Sequence, residues 1–181
     1  MNVLSAEQIR REVLNEYLQL SPEQMQKQSR QLLARAQSWL AGRWTLLGLK
    51  IGAYHPMARS EPQLQPLWNW LSEQGAIVSF PMTGQGQVLR FSVSAEEPAL
   101  DLGSIDLLII PGLAFGLTDG GRIGRGRGWY DRTLAVAPQA GRLALALDFQ
   151  LYSDPLPLHP GDQSMDWILS PSYEFDEPRQ S

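Results

Sequence analysis

Residues Ile105–Ile110 read IDLLII, and Pro111-Gly112 closes the run. A short apolar run bounded by turn residues is the pattern of a strand buried on both faces, as in a parallel sheet covered by helices. The segments on either side keep that theme. Upstream, Leu46–Tyr54 (LLGLKIGAY) and Ala76–Phe80 (AIVSF) read as strands, ended by His55-Pro56 and by Pro81, with a weaker strand over Val88–Val93. Downstream, Arg142–Phe149 (RLALALDF) and the short Trp167–Leu169 continue the series. Helical spacing fills the intervals. After Ser5, apolar residues recur at Ile9, Val13, Leu14, Tyr17 and Leu18. Ser21-Pro22-Glu23 supplies an N-cap and a proline at the first helical position for a second helix, which Gly42 is expected to stop. A third helix spans Leu64–Glu73 before Gly75, and a fourth starts at Trp129. Strands alternating with helices predict one α/β domain over 1–181, a layered sandwich with a largely parallel sheet flanked by helices. Residues 171–181 read as a polar tail.

A chain of 181 residues can bury a sizeable core. Its net charge of −4 provides no basic field to draw nucleic acid. The absence of cysteine excludes disulfides, thiolate metal sites and a cysteine nucleophile. The opening MNVLSAEQIRREVLNEY is charged and lacks the apolar centre of a signal peptide, and no stretch nears the roughly 18 apolar residues of a membrane span. The expectation is a cytoplasmic monomer with neither nucleic acid nor membrane as partner.

The loop after IDLLII carries the chemistry. It includes GGRIGRGRGWYD (Gly120–Asp131), and ligands of open α/β sheets sit where strands deliver their carboxyl ends. Glycines let backbone N–H groups approach an anion. Arg122, Arg125, Arg127 and Arg132 fall within eleven residues. Charges so close repel unless a polyanion or carboxylates compensate them, and guanidinium forks match phosphate oxygens. A helix starting at Trp129 would add its positive end. The pattern is neither a P-loop nor a dinucleotide fingerprint. A solvated loop with scattered surface arginines is the plainer alternative. Asp131 would either pair with an arginine or hold Mg²⁺ bridging phosphates. Asp162, in HPGDQSMD, is a second carboxylate for that ion or else a turn residue. His55 is either a ligand contact or a cleft-rim residue, and His159 reads as an exposed loop residue. Trp39, Trp44, Trp68 and Trp70 read as core.

PGLAFGLTDGGRIGRGRGWYDRTL (Pro111–Leu134) resembles the signature of the 5-formyltetrahydrofolate cyclo-ligase family, roughly P-G-x-A-F-(x)n-R-L-G-x-G-x-G-Y-Y-D-R-x-L. IRREVLNEYLQLSPEQ resembles the family's opening helix and turn, AYHPMARSEPQLQPLWNWL its segment after the first strand, and LPLHPGDQSMDWIL its closing segment. The resemblance implies a fold of the NagB/RpiA/CoA transferase-like kind. It also implies ATP- and Mg²⁺-dependent cyclisation of 5-formyltetrahydrofolate to 5,10-methenyltetrahydrofolate. It places Arg10, Arg122, Gly124, Arg125, Gly126, Arg127, Gly128, Trp129 and Tyr130 at the nucleotide, with Arg125 and Arg127 closest to the chemistry. His55, Glu61 and Trp129 fall on the substrate side, Glu61 at the pterin N–H groups, and Asp131 and Asp162 match the Mg²⁺ carboxylates. Ala6 stands where the family usually has Lys, Trp129 replaces a Tyr, and Ser170-Pro171 replaces Thr-Glu. Those departures leave a second possibility, a diverged member that binds nucleotide or folate without cyclo-ligase activity. An RNA-binding arginine loop is a third, opposed by the net charge.

Overall fold

The computed structural model describes residues 4–57, 61–82 and 87–176. Along the chain come α1 (Ala6–Gln19), α2 (Pro22–Arg43), β1 (Lys50–Gly52), α3 (Gln65–Glu73), β2 (Ile77–Pro81), β3 (Phe91–Ser92), β4 (Leu107–Ile110), β5 (Ala114–Gly116), β6 (Arg122–Ile123), α4 (Trp129–Val136), β7 (Gly141–Leu145), β8 (Leu151–Tyr152), β9 (Trp167–Leu169) and β10 (Glu174–Asp176). Ser5 and Ser21 each close a capping box, their hydroxyls accepting from Gln8 and Gln24, so both helix starts lie where the sequence puts them. At its other end α2 runs through Gly42 and stops only where Trp44 turns extended.

The main sheet has the order β10-β9-β7-β4-β1-β2-β3. Strands β9, β7, β4, β1 and β2 are mutually parallel, and β3 and β10 add antiparallel edges. The IDLLII run occupies the centre. Its alternating side chains serve two cores. Leu107 and Ile109 join the cluster built by α1, α2 and α3, while Leu108 and Ile110 join the cluster with Leu134 of α4, Phe115 and Met165. All four are fully buried, which is why the strand reads as continuously apolar.

Three further features depart from expectation. A second sheet, β6-β5-β8, forms from two- and three-residue strands inside what reads as loop. Residues 174–176 are not tail but an edge strand: Phe175 pairs with Ile168, and Glu174 is held by Trp39 and Arg43 of α2. Residues 177–181 of the expected tail lie outside the described residues. Strand β1 is also shorter than LLGLKIGAY, because Gly48 (φ 79°) turns the chain before it.

The order of the sheet positions the site. From β1 the chain winds outward through β2 and β3, then returns to β4 on the other side and winds away through β7 and β9. The winding direction therefore reverses between β1 and β4. Loops leaving the carboxyl ends of these two strands diverge and leave a crevice.

Candidate active site

A cavity of about 660 Å³ occupies that crevice, within the roughly 300–1,000 Å³ usual for small-molecule sites. Met57 and Glu61 line it from the loop after β1, and Pro111 and Gly112 from the end of β4. The glycine-rich segment contributes Arg122 through Asp131, α1 contributes Ala6 and Arg10, and the segment after β8 contributes Pro157, His159 and Asp162. The structure thus brings together Arg10, Glu61, Arg122, Gly124, Arg125, Gly126, Arg127, Gly128, Trp129, Tyr130, Asp131 and Asp162. His55 is not among them. Its exposed ring lies flat on Phe80, with centroids 4.3 Å apart and planes 10° apart, outside the cavity lining.

The glycines have a specific use. Gly126 and Gly128 take φ of 85° and 64°, a backbone that side chains disfavour. Gly128 is the N-cap of α4 and offers no side chain to its first turn. The N–H groups that a Ser or Asp cap would occupy are therefore left without a side-chain cap.

The arginines sort into separate jobs. Arg122 is buried, its side chain 4% exposed. Its Nη2 donates to both carboxylate oxygens of Asp131 at 2.9 Å, and its Nη1 donates to the Pro111 carbonyl at 3.2 Å. Its carbon Cζ lies 5.9 Å from the Tyr130 ring centroid. It forms part of the cavity floor with its charge already answered by Asp131. Arg132 clamps the loop from outside, donating to the carbonyls of Gln87 and Arg127. Arg10 donates from Nε to the Gly124 carbonyl at 2.8 Å, tying α1 to the loop. Arg127 is exposed, rests over the Trp129 ring at 5.5 Å, and has no carboxylate partner among the described residues. Arg125 lies with its Nη2 3.5 Å from Oε1 of Glu61.

Glu61 is 5% exposed, and its Oε2 accepts the Met57 N–H at 2.7 Å. Burial pushes its carboxyl above the usual carboxylate range, against the pull of that N–H and of Arg125. Burial likewise raises the Tyr130 phenol, so it stays a neutral hydroxyl.

Asp131 also accepts the N–H of Gln163 at 3.2 Å, which draws the 159–163 segment alongside it. Asp162 is exposed and accepts the His159 N–H at 2.7 Å. Among the described residues no three His, Cys, Asp or Glu side chains converge as a metal cage. Two carboxylates on one cavity do fit Mg²⁺, which is usually held by one or two carboxylates while phosphates and waters complete its shell.

Sequence reasoning missed the apolar lining of Met57, Pro111 and Pro157, and it missed Gln150. This glutamine is 1% exposed; its amide donates to the carbonyls of Gly112 and Leu113, and its oxygen accepts from Leu147 N–H and the Tyr17 hydroxyl. It fixes the backbone where β4 opens into the cavity. One polar residue in DFQLY gives no signal of this in sequence.

Residues 3–171 match the model of the 5-formyltetrahydrofolate cyclo-ligase family. The 5-formyltetrahydrofolate cyclo-ligase of Mycolicibacterium smegmatis is 31% identical over 156 residues, 74% of this chain and 78% of that protein. The enzyme of the same description from Mus musculus is 38% identical over 77 residues, 40% of this chain and 37% of that protein. Among solved structures, the 5,10-methenyltetrahydrofolate synthetase of Mycoplasma pneumoniae superposes with a TM-score of 0.81 at 20% identity, covering 93% of this chain and 100% of that one. The Aquifex aeolicus synthetase gives 0.78 at 22% identity, covering 97% and 94%. At those identities the structural likeness speaks for the fold.

Proposed function

The chain belongs to the 5-formyltetrahydrofolate cyclo-ligase family, and on that premise we propose that it converts 5-formyltetrahydrofolate and ATP into 5,10-methenyltetrahydrofolate, ADP and phosphate. The observation that carries the proposal is a single cavity shared by Glu61 with Arg10, Arg125, Arg127 and the glycine-loop backbone. A buried carboxylate suits an N–H-rich heterocycle. Guanidinium groups and open amides suit a polyphosphate.

In this reaction the formyl oxygen attacks the γ-phosphorus of ATP, and the bond to the β–γ bridging oxygen breaks to release ADP. N10 then attacks the activated carbon and loses its proton, and phosphate departs with the formyl oxygen. Phosphoryl transfer asks the protein for alignment and charge stabilisation more than covalent chemistry. Arg125 and Arg127 supply positive charge at the transferred group, and Arg10 holds the loop through Gly124. Gly124, Gly126 and Gly128 let backbone amides approach the phosphates. Glu61 accepts from the pterin N–H groups, and Trp129 offers an aromatic plane at the cavity mouth. Asp131 and Asp162 would hold Mg²⁺, which neutralises phosphate charge when bound. Arg122 keeps Asp131 oriented for that task. The cysteine-free composition supports a cytoplasmic setting, and the −4 net charge supports a small-molecule rather than nucleic-acid partner. No described helix is long and apolar enough to cross a membrane.

The test is a continuous assay of methenyltetrahydrofolate by its near-ultraviolet absorbance. The signal is expected only when 5-formyltetrahydrofolate, ATP and Mg²⁺ are all present. No signal with all three, at high concentrations of folded protein, would overturn the proposal.

A further inference from the structure

We infer that Glu61 is a positioning residue for Arg125, and that this pair makes the two ligands of the cleft bind with positive coupling. The inference rests on the cyclo-ligase reading for the identity of those ligands; the coupling itself follows from the geometry.

Glu61 comes from the segment after β1, and Arg125 from the glycine-rich segment between β6 and α4. They are 64 positions apart in sequence (125 minus 61) and face each other across one cavity. The carboxylate side chain is 7% exposed and the guanidinium 37% exposed. Their 3.5 Å separation is longer than the roughly 2.7–2.9 Å of a strong charge-assisted hydrogen bond. The contact is a loose one, and a better-placed partner on either side would displace it.

Each ligand offers such a partner to one member and none to the other. Phosphate oxygens compete for Arg125. If they draw it away while the folate side is empty, Glu61 is left as a buried carboxylate whose hydrogen-bond donor among the described residues is the Met57 N–H, an unfavourable state. Substrate N–H groups compete for Glu61. Once they satisfy it, Arg125 is released toward the phosphates at no further cost to Glu61. The ligand that binds first bears the penalty of opening the pair, and the second does not. Coupling of this kind is reciprocal and is typically a factor of about 5–150 in affinity. Its consequence is that the cleft fills with both reactants together.

The experiment is calorimetric titration of the intact protein with a non-hydrolysable ATP analogue and Mg²⁺, with and without saturating 5-formyltetrahydrofolate. The wild type is expected to bind the analogue at least about fivefold more tightly when the folate is present. Glu61→Gln is expected to bind the analogue more tightly than wild type when folate is absent, and its own coupling should fall toward unity. A purely structural glutamate would not improve nucleotide affinity when replaced. Arg125→Gln gives a second route: the analogue binds more weakly and the coupling again disappears. Equal analogue affinity with and without folate in the wild type sinks the inference alone, as does Glu61→Gln binding no more tightly than wild type. If neither ligand binds the wild type, the cyclo-ligase reading fails and takes the inference with it.

Discussion

Arg122, Arg125 and Arg127 sit within six residues, yet one faces inward and two face the cavity. The outward pair should carry rate. Removing one preorganised donor to developing charge costs about 10²–10³ in turnover in well-studied sites. Arg125→Ala and Arg127→Ala are each expected to lower kcat at least about tenfold, and Arg127→Ala to do so with little loss of thermal stability. Near-wild-type turnover in both would remove them from the phosphate site. The inward arginine predicts a different phenotype. Asp131→Ala would strand the 4%-exposed Arg122 side chain without its counter-ion, and breaking a buried pair from one side costs about 3–5 kcal/mol. Urea unfolding should show a loss of that order for Asp131→Ala and a smaller one for Asp131→Asn, which keeps an acceptor. An Asp131→Ala protein as stable as wild type would show that the pair is not structural. Ala6 offers a gain. It lines the cavity from the first turn of α1, where the family resemblance implies a lysine. Ala6→Lys is expected to tighten the ATP analogue about tenfold or more, since a hydrogen bond to a charged group contributes about 1.5–3 kcal/mol, with the gain shrinking as salt is raised. At this scale sequence revealed which residue types gather in the loop but not which arginine turns inward. Arg122 and Ile123 form a two-residue strand against Ala114 and Phe115, and only that long-range pairing decides the direction.

The elements of the main sheet were legible because burial on both faces leaves a one-dimensional trace, an unbroken apolar run ended by proline or glycine. IDLLII, AIVSF and the apolar part of RLALALDF all became sheet strands. The three-stranded sheet left no such trace. Its strands are two or three residues long, and its parallel pair, Phe115 with Leu151, joins positions 36 apart (151 minus 115). Strand β10 was hidden for another reason. Its Glu-Phe-Asp sequence is polar in isolation and becomes a strand through partners elsewhere, with Trp39 donating to Glu174, Trp167 donating to Asp176, and Arg43 bridging both carboxylates. Gln150 shows how much one such distant partner can hold. It connects α1, through Tyr17, to the backbone at the end of β4. Gln150→Leu would leave the Gly112 and Leu113 carbonyls and the Leu147 N–H without their side-chain partner. Each such buried group costs about 1–3 kcal/mol. A destabilisation of at least about 3 kcal/mol is expected by denaturant titration, against about 1 kcal/mol for Tyr17→Phe, which removes one hydrogen bond. Equal effects from the two substitutions would show that the backbone at 112–113 does not depend on Gln150.

For the molecule as a whole, the site and the fold make opposite demands on Glu61. The reversal of winding between β1 and β4 creates the crevice, and under the proposed function Glu61 receives N–H donors at its inner wall, a task for the ionised carboxylate. Burial raises its carboxyl above the ordinary value of 4.5. The native state therefore holds the proton more tightly than the unfolded chain. The stability contributed by that tighter binding is complete below the unfolded value and is lost as pH rises through the folded one. Wherever Glu61 is ionised in the ligand-free protein, burial disfavours that charge. Glu61→Gln removes the titration while keeping an oxygen for the Met57 N–H. The variant should unfold at a higher temperature than wild type near about pH 8, and the difference between the two should shrink toward about pH 4 as wild-type Glu61 becomes protonated. Because every other carboxylate is shared, the difference isolates this one group. Saturating 5-formyltetrahydrofolate should reverse the ranking at neutral pH, since ligand binding to the native state stabilises it and the glutamine is the poorer acceptor. A stability gap that widens on acidification would show that Glu61 is held charged by the fold itself.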